Sequence, residues 1–181
     1  NAVASLGTAL TGLQANLLKR YTSEVILTYD SDGAGTRAAL RAIPILKEVG
    51  MSVKVLNMKP YKDPDEFIKN NGTDAFQERI NHAENSFMFE IRMLEKDFNM
   101  DDPEEKTNFH NEIARKLCDF AEDVERENYI EAVAQKYHIG FDNLRKLVVN
   151  MAASTGGYGE VTLHQPEIKT GINSRNRSNP E

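Results

Sequence analysis

The sequence predicts an α/β unit followed by an all-α unit: a partial parallel sheet with flanking helices, then an antiparallel helical bundle. Three observations predict it. Short apolar, β-branched runs alternate with helical periodicities over the first 72 residues. Strand signals then vanish, and apolar residues recur at three and four up to about residue 153. Charge divides the same way. Residues 1–72 carry 9 Lys/Arg against 7 Asp/Glu, whereas residues 73–150 carry 10 against 18. An acidic second unit repels phosphate backbones and is a poor main surface for nucleic acid.

The elements follow in order. Ala2-Val3-Ala4 reads as the end of a strand and Leu6-Gly7-Thr8 as a turn. Thr11 precedes a helix to about Arg20, with Leu13, Leu17 and Leu18 on one side. Glu24 to Tyr29 has the pattern of a central parallel strand buried on both faces. Ser31 to Gly35 is a tight turn of small residues. A helix then runs from Thr36 to about Val49, with Ala39, Leu40, Ile43, Leu46 and Lys47 in register, and ends at Gly50. Pro44 is expected to kink it or restart it. Val53 to Leu56 is the next strand, residues 57–65 a loop, and Glu66-Phe67-Ile68 a short helix closed by Gly72. Such alternation implies a parallel sheet with right-handed crossovers.

Beyond Gly72, helices are expected over 74–82, 86–98, 103–121, 123–137 and 141–153. Their apolar positions include Phe87, Ile91, Leu94 and Phe98; Phe109, Ile113, Leu117 and Phe120; Tyr129, Ile130, Val133 and Tyr137; and Leu144, Leu147, Val148 and Met151. Asp101-Asp102-Pro103-Glu104-Glu105 starts one helix with acids in its first turn. Short connections imply antiparallel packing. The expected units are 1–75, 76–154 and a linker or tail over 155–181. The chain lacks an initiator Met and opens inside a strand-like run, which is the expectation for a piece of a longer protein. No apolar run approaches the roughly 20 residues of a membrane span. The single cysteine, Cys118, forms no internal disulfide and suits a reducing cytoplasm.

The chemistry concentrates in two acidic motifs. In Val25-Ile-Leu-Thr-Tyr-Asp30-Ser-Asp32-Gly-Ala-Gly35-Thr36, two carboxylates stand two residues apart at the carboxyl end of a strand. That edge is where α/β sheets bind ligands. Two such charges repel unless a cation neutralises them, and Mg²⁺ is the oxygen-seeking candidate. The simpler structural reading is an Asp-rich turn that caps the next helix. Lys62-Asp63-Pro64-Asp65-Glu66 follows the next strand and is expected to face the first motif across the crevice, with Lys62 near a phosphate. Its simpler reading is a helix start: Asp63 as cap, Pro64 in the first position, Asp65 and Glu66 favouring the dipole.

Other chemistries fit less well. An EF-hand would need ligands where Ala34 and Arg41 stand. A haloacid-dehalogenase-like phosphatase would use Asp30 as nucleophile and Asp32 as acid/base, but Ala34-Gly35 separate the glycine from the threonine that should follow it. His82, His110, His138 and His164 lack ligand spacing, and neither Ser5 nor Ser31 has a nearby His. A pure binding module, with aspartates that only cap a helix, also stays open.

Three stretches resemble the Toprim domain of bacterial primases of the DnaG family: Asn1 to Thr11, Tyr29-Asp-Ser-Asp-Gly-Ala-Gly35, and Lys62-Asp-Pro-Asp-Glu-Phe-Ile68. Val124-Glu-Arg-Glu-Asn-Tyr-Ile130 and Tyr137-His-Ile-Gly140, with Leu144, resemble the helical subdomain that closes the family's RNA polymerase core. The resemblance covers about residues 1–150. It implies a DNA-directed RNA polymerase that makes short RNA primers on single-stranded DNA from nucleoside triphosphates, by Mg²⁺- or Mn²⁺-dependent nucleotidyl transfer. It matches Asp30, Asp32 and Asp63 to metal ligands, with Asp65 beside them in the catalytic set. It puts the catalytic glutamate, the basic template-binding subdomain and the zinc-binding domain upstream of residue 1, and contact with the replicative helicase beyond the tail. On that reading the isolated chain is inactive. Another Toprim enzyme, a topoisomerase or a nuclease, is the alternative within the same fold.

Overall fold

The computed structural model describes residues 2–4 and 9–154. Ser5, the Leu6–Thr8 turn, His164 and the 155–181 tail lie outside the described residues. Helix α1 (Gly12–Lys19) begins at a reciprocal cap, in which the Thr11 side chain accepts from the Gln14 N–H and the Gln14 side chain accepts from the Thr11 N–H. Strand β1 (Glu24–Leu27) leads into α2 (Gly33–Glu48) and then β2 (Ser52–Val55), which lies parallel to β1 with Val25 opposite Val53 and Leu27 opposite Val55. This strand–helix–strand unit gives the parallel pairing that the pattern predicts. Ala15, Ala39, Ala42, Ile43, Leu46, Val53 and Val55 lie in its core.

The structure departs from several expectations. Ala2-Val3-Ala4 pairs with no strand among the described residues, and all three are exposed. Among the described residues β1 is an edge rather than a centre. The described sheet runs β1-β2-β3, and only Leu27 of β1 is buried. Helix α2 starts three residues earlier than its apolar periodicity indicates, because Asp32 caps it. It runs through Pro44 without interruption over 16 residues. Lys47 is exposed and pairs with Glu90 at 3.5 Å rather than facing the core.

Helix α3 (Pro64–Asn81) turns sharply at Gly72, whose φ of 83° is a left-handed value that glycine adopts without strain. The break expected there is real, and a second helical segment follows it. Next comes a strand that periodicity misses. β3 (Glu84–Asn85) pairs antiparallel with β2, so the sheet is mixed. Two residues are too few to show a period of two.

The remaining helices are α4 (Ser86–Leu94), closed by a 3-10 turn at Glu95–Asp97, then α5 (Pro103–Leu117), α6 (Asp123–Tyr137) and α7 (Phe141–Ser154). The α-helices expected to reach 98 and 121 therefore stop four residues short. Asp102 caps α5 ahead of Pro103, as the acid-rich start predicts. Helices α4 to α7 share one core around Phe87, Ile91, Phe109, Ile113, Leu117, Ile130, Val133, Leu144 and Val148, each of which the periodicity identifies. Phe120 stacks on Tyr129 with centroids 4.4 Å apart, and Phe87 meets both edge-on at 5.0 Å.

The two units are tied where β3 meets the bundle. Glu84 accepts from Arg92 Nη2 of α4 at 2.7 Å and from Lys136 Nζ of α6 at 3.1 Å. Burial pushes its carboxyl pKa up, but the hydrogen bonds and charges of Arg92 and Lys136 outweigh that and leave it lowered. A lowered carboxylate pKa gives stability that is present above the unfolded value and is lost as pH falls through the folded one. Glu84→Ala is therefore expected to cost about 2–3 kcal/mol at neutral pH. Glu84→Gln should flatten the loss of stability that sets in as pH falls below about 4.5. Thermal melts across that range check both; an unchanged acid slope in Glu84→Gln would show that Glu84 is not the group responsible.

Candidate metal and phosphate site

Strand β1 ends at Leu27, and Asp30 follows three residues later, exposed at the carboxyl edge of the sheet. Asp32 caps α2, and its Oδ1 accepts from the Gly35 N–H at 2.7 Å. Thr36 Oγ1 donates back to the Asp32 carbonyl at 2.9 Å. The second carboxylate oxygen of Asp32 makes no hydrogen bond among the described residues. Gly35 is buried against the turn it closes. A Cβ there would stand 2.1 Å from the Asp30 carbonyl oxygen and 2.9 Å from its carbon, so only glycine lets helix and turn come this close.

The second motif adopts the helix start that its residues also allow. Asp63 Oδ1 accepts from the Glu66 N–H at 2.8 Å, Pro64 takes the first position, and Asp65 pairs with Lys69 at 2.6 Å. Glu66 reaches back and accepts from the Lys62 N–H at 2.6 Å. The Lys62 carbonyl in turn accepts from the Ser31 N–H at 2.8 Å. That last bond joins the two acidic motifs, one from each parallel strand. Both bonds use the backbone of Lys62, which its residue type does not reveal.

The structure thus brings the Asp30–Asp32 turn against the Lys62–Asp63 loop, while Asp65 turns to Lys69. Among the described residues, no group of three or more His, Cys, Asp or Glu side chains stands close enough to hold a metal ion. Mg²⁺ does not require such a cage. It keeps several waters and takes one or two carboxylates plus substrate phosphates. Exposed Asp30 and Asp32 fit that demand. The α2 helix starts directly after Asp32, so no twelve-residue calcium loop exists here.

A cleft opens beside Asp30 at the ends of β1 and β2. Asp30, Ser31 and Thr36 from the turn and helix start after β1, Lys59 from the loop after β2, and Arg92 and Lys96 from α4 and its 3-10 turn all line it. Sequence reasoning missed these three cations. Arg92 and Lys96 lie in a stretch whose apolar period marks it only as bundle; their spacing of four was the available signal.

Comparison with known proteins gives two family matches. Residues 1–68 match a family described as Toprim-like, and residues 87–142 match the DnaB-helicase binding domain of primase. The second match puts a helicase-binding signature inside the chain, on α4 to α6, whereas the resemblance assigned helicase contact to a segment beyond the tail. A DNA primase of Clostridium acetobutylicum is 39% identical over 136 residues, covering 75% of this chain and 23% of that protein. The chain thus spans about a quarter of the length of that relative. A crystal structure of the Aquifex aeolicus primase, with its zinc-binding and RNA polymerase domains, is 34% identical with a TM-score of 0.53, over 77% of this chain and 32% of that one. The E. coli primase catalytic core is 25% identical with a TM-score of 0.58, over 75% of this chain and 44% of that one. Among the described residues, no helix is long and apolar enough to cross a membrane.

Proposed function

Because the chain belongs to the bacterial DnaG-type primases, we propose that it supplies the divalent-metal side of a primer-synthesising active site. The observation that carries this reading is the Ser31–Lys62 backbone bond, which joins two acidic motifs at the ends of two parallel strands. Asp30 and Asp32 would hold Mg²⁺ or Mn²⁺, with Asp63 beside them. The ion would supply charge neutralisation on the triphosphate and the departing pyrophosphate. The chain's own residues do the positioning. Asp32 orients its carboxylate through the helix cap, Gly35 holds the Asp30 backbone in place, and Lys62 offers an ammonium to phosphate.

The substrates on this reading are nucleoside triphosphates and a single-stranded DNA template, and the product is a short RNA primer. The match over residues 87–142 supports a second role for the bundle as a contact for the replicative helicase. The relatives are primases, and they do not favour the topoisomerase, nuclease or phosphatase alternatives. The test is primer synthesis on single-stranded DNA. The complete polypeptide carrying this segment should make short RNA with Mg²⁺, and the isolated chain should make none. Beryllium-fluoride-sensitive phosphatase activity without RNA synthesis would overturn the reading.

A further inference from the structure

The cleft beside Asp30 is lined by charges of both signs. Arg92, near the end of α4, and Lys96, in the 3-10 turn that follows it, line the same cleft as Asp30, Ser31 and Thr36. Arg92 is held still. Glu84 accepts from its Nε at 3.0 Å and its Nη2 at 2.7 Å, and the guanidinium lies 5.3 Å from the centre of the Phe89 ring. Its Nη1 donates to no acceptor among the described residues. Lys96 Nζ has only the thioether of Met93 at 3.3 Å, and no carboxylate pairs with it among the described residues. By contrast, Lys47, Lys116 and Lys136 are all in ion pairs.

A free cation would be drawn to Asp30 and repelled by Arg92 and Lys96. A bare phosphate backbone would meet the reverse. A polyanion that carries its own divalent cation satisfies charges of both signs. We propose that Arg92 and Lys96 form the anion-binding wall of the Asp30 cleft and grip the triphosphate of a metal-bound nucleotide, with Glu84 as the positioning residue for Arg92. This rests on the reading of Asp30 and Asp32 as metal ligands, and it assigns a substrate contact to the bundle side of the molecule. Arg92 suits the task because a guanidinium with one edge fixed can offer the other to phosphate oxygens at little further entropic cost.

The test uses the 181-residue chain, a fluorescent non-hydrolysable ATP analogue with Mg²⁺, and Mn²⁺ binding followed by electron paramagnetic resonance. Arg92→Gln and Lys96→Ala should each weaken the nucleotide by roughly tenfold, with free Mn²⁺ affinity unchanged. Glu84→Gln should weaken it too, yet add nothing in the Arg92→Gln background, a non-additivity that a merely structural role would not produce. Inorganic tripolyphosphate should compete for the site, whereas a single-stranded oligonucleotide without Mg²⁺ should not. Wild-type nucleotide affinity in both variants overturns the inference, as does Mn²⁺ binding without any nucleotide binding, or equal competition by the oligonucleotide. Absence of Mn²⁺ binding in the wild type instead overturns the metal reading beneath it.

Discussion

On the proposed reading, Asp32→Asn in the complete polypeptide that carries this segment is expected to reduce primer synthesis by at least ~10²-fold while leaving the fold intact. The two outcomes separate because Asp32 does two jobs. Its Oδ1 caps α2 through the Gly35 N–H at 2.7 Å, and asparagine caps a helix about as well as aspartate. On the proposed reading its charge serves the metal, and asparagine lacks that charge. Asp32→Ala removes both and should cost about 1 kcal/mol of stability as well. Relief of repulsion between Asp30 and Asp32 acts in the opposite direction, so a metal-free gain in stability is expected at Asp30, which caps no helix, rather than at Asp32. Asp30→Asn should match Asp32→Asn in lost synthesis. Primer assays with thermal melts in a chelator check all three, and full activity in Asp32→Asn would contradict the assignment.

Gly35→Ala is expected to be the most disruptive substitution of a single small residue. The new methyl would stand 2.1 Å from the Asp30 carbonyl oxygen, which is backbone and has no rotamer to move into. Either α2 shifts or the Asp30 turn opens. The expected cost is about 2–3 kcal/mol, at the upper end for overpacking, and Mn²⁺ affinity should fall because the ligand turn is displaced. Gly33→Ala is the control. Its Cβ would meet only Arg37 Nη1 at 3.3 Å, the far end of a flexible side chain, in the first turn of the same helix. It should be close to neutral or slightly stabilising. Equal melting temperatures for the two variants would contradict the steric explanation.

The parts of the fold that can be read from sequence are those with enough residues to show a period. The bundle core from Phe87 to Val148 is readable because each helix repeats its apolar face several times. The Gly72 break is readable because glycine accepts that backbone without strain and other residues do not. What escapes is short or decided by tertiary contact. β3 has two residues, and Glu84 joins the sheet because β2 offers it an edge. The start of α2 is misplaced because a cap, not a hydrophobic period, determines it. At the site, residue types identify the acidic motifs, but the Ser31–Lys62 bond that joins them is made by backbone groups. Arg92 and Lys96 escape because the fold, not the local sequence, turns α4 toward the end of β1.

On the proposed reading, the edge formed by the Asp30–Asp32 turn and the Asp63 loop holds a divalent ion. Anomalous diffraction from crystals of the chain soaked in Mn²⁺ tests it most directly. The expected result is a peak about 2.1 Å from carboxylate oxygens of Asp30 and Asp32, on the side facing Asp63. A peak bound only elsewhere, or none at saturating Mn²⁺, would contradict it.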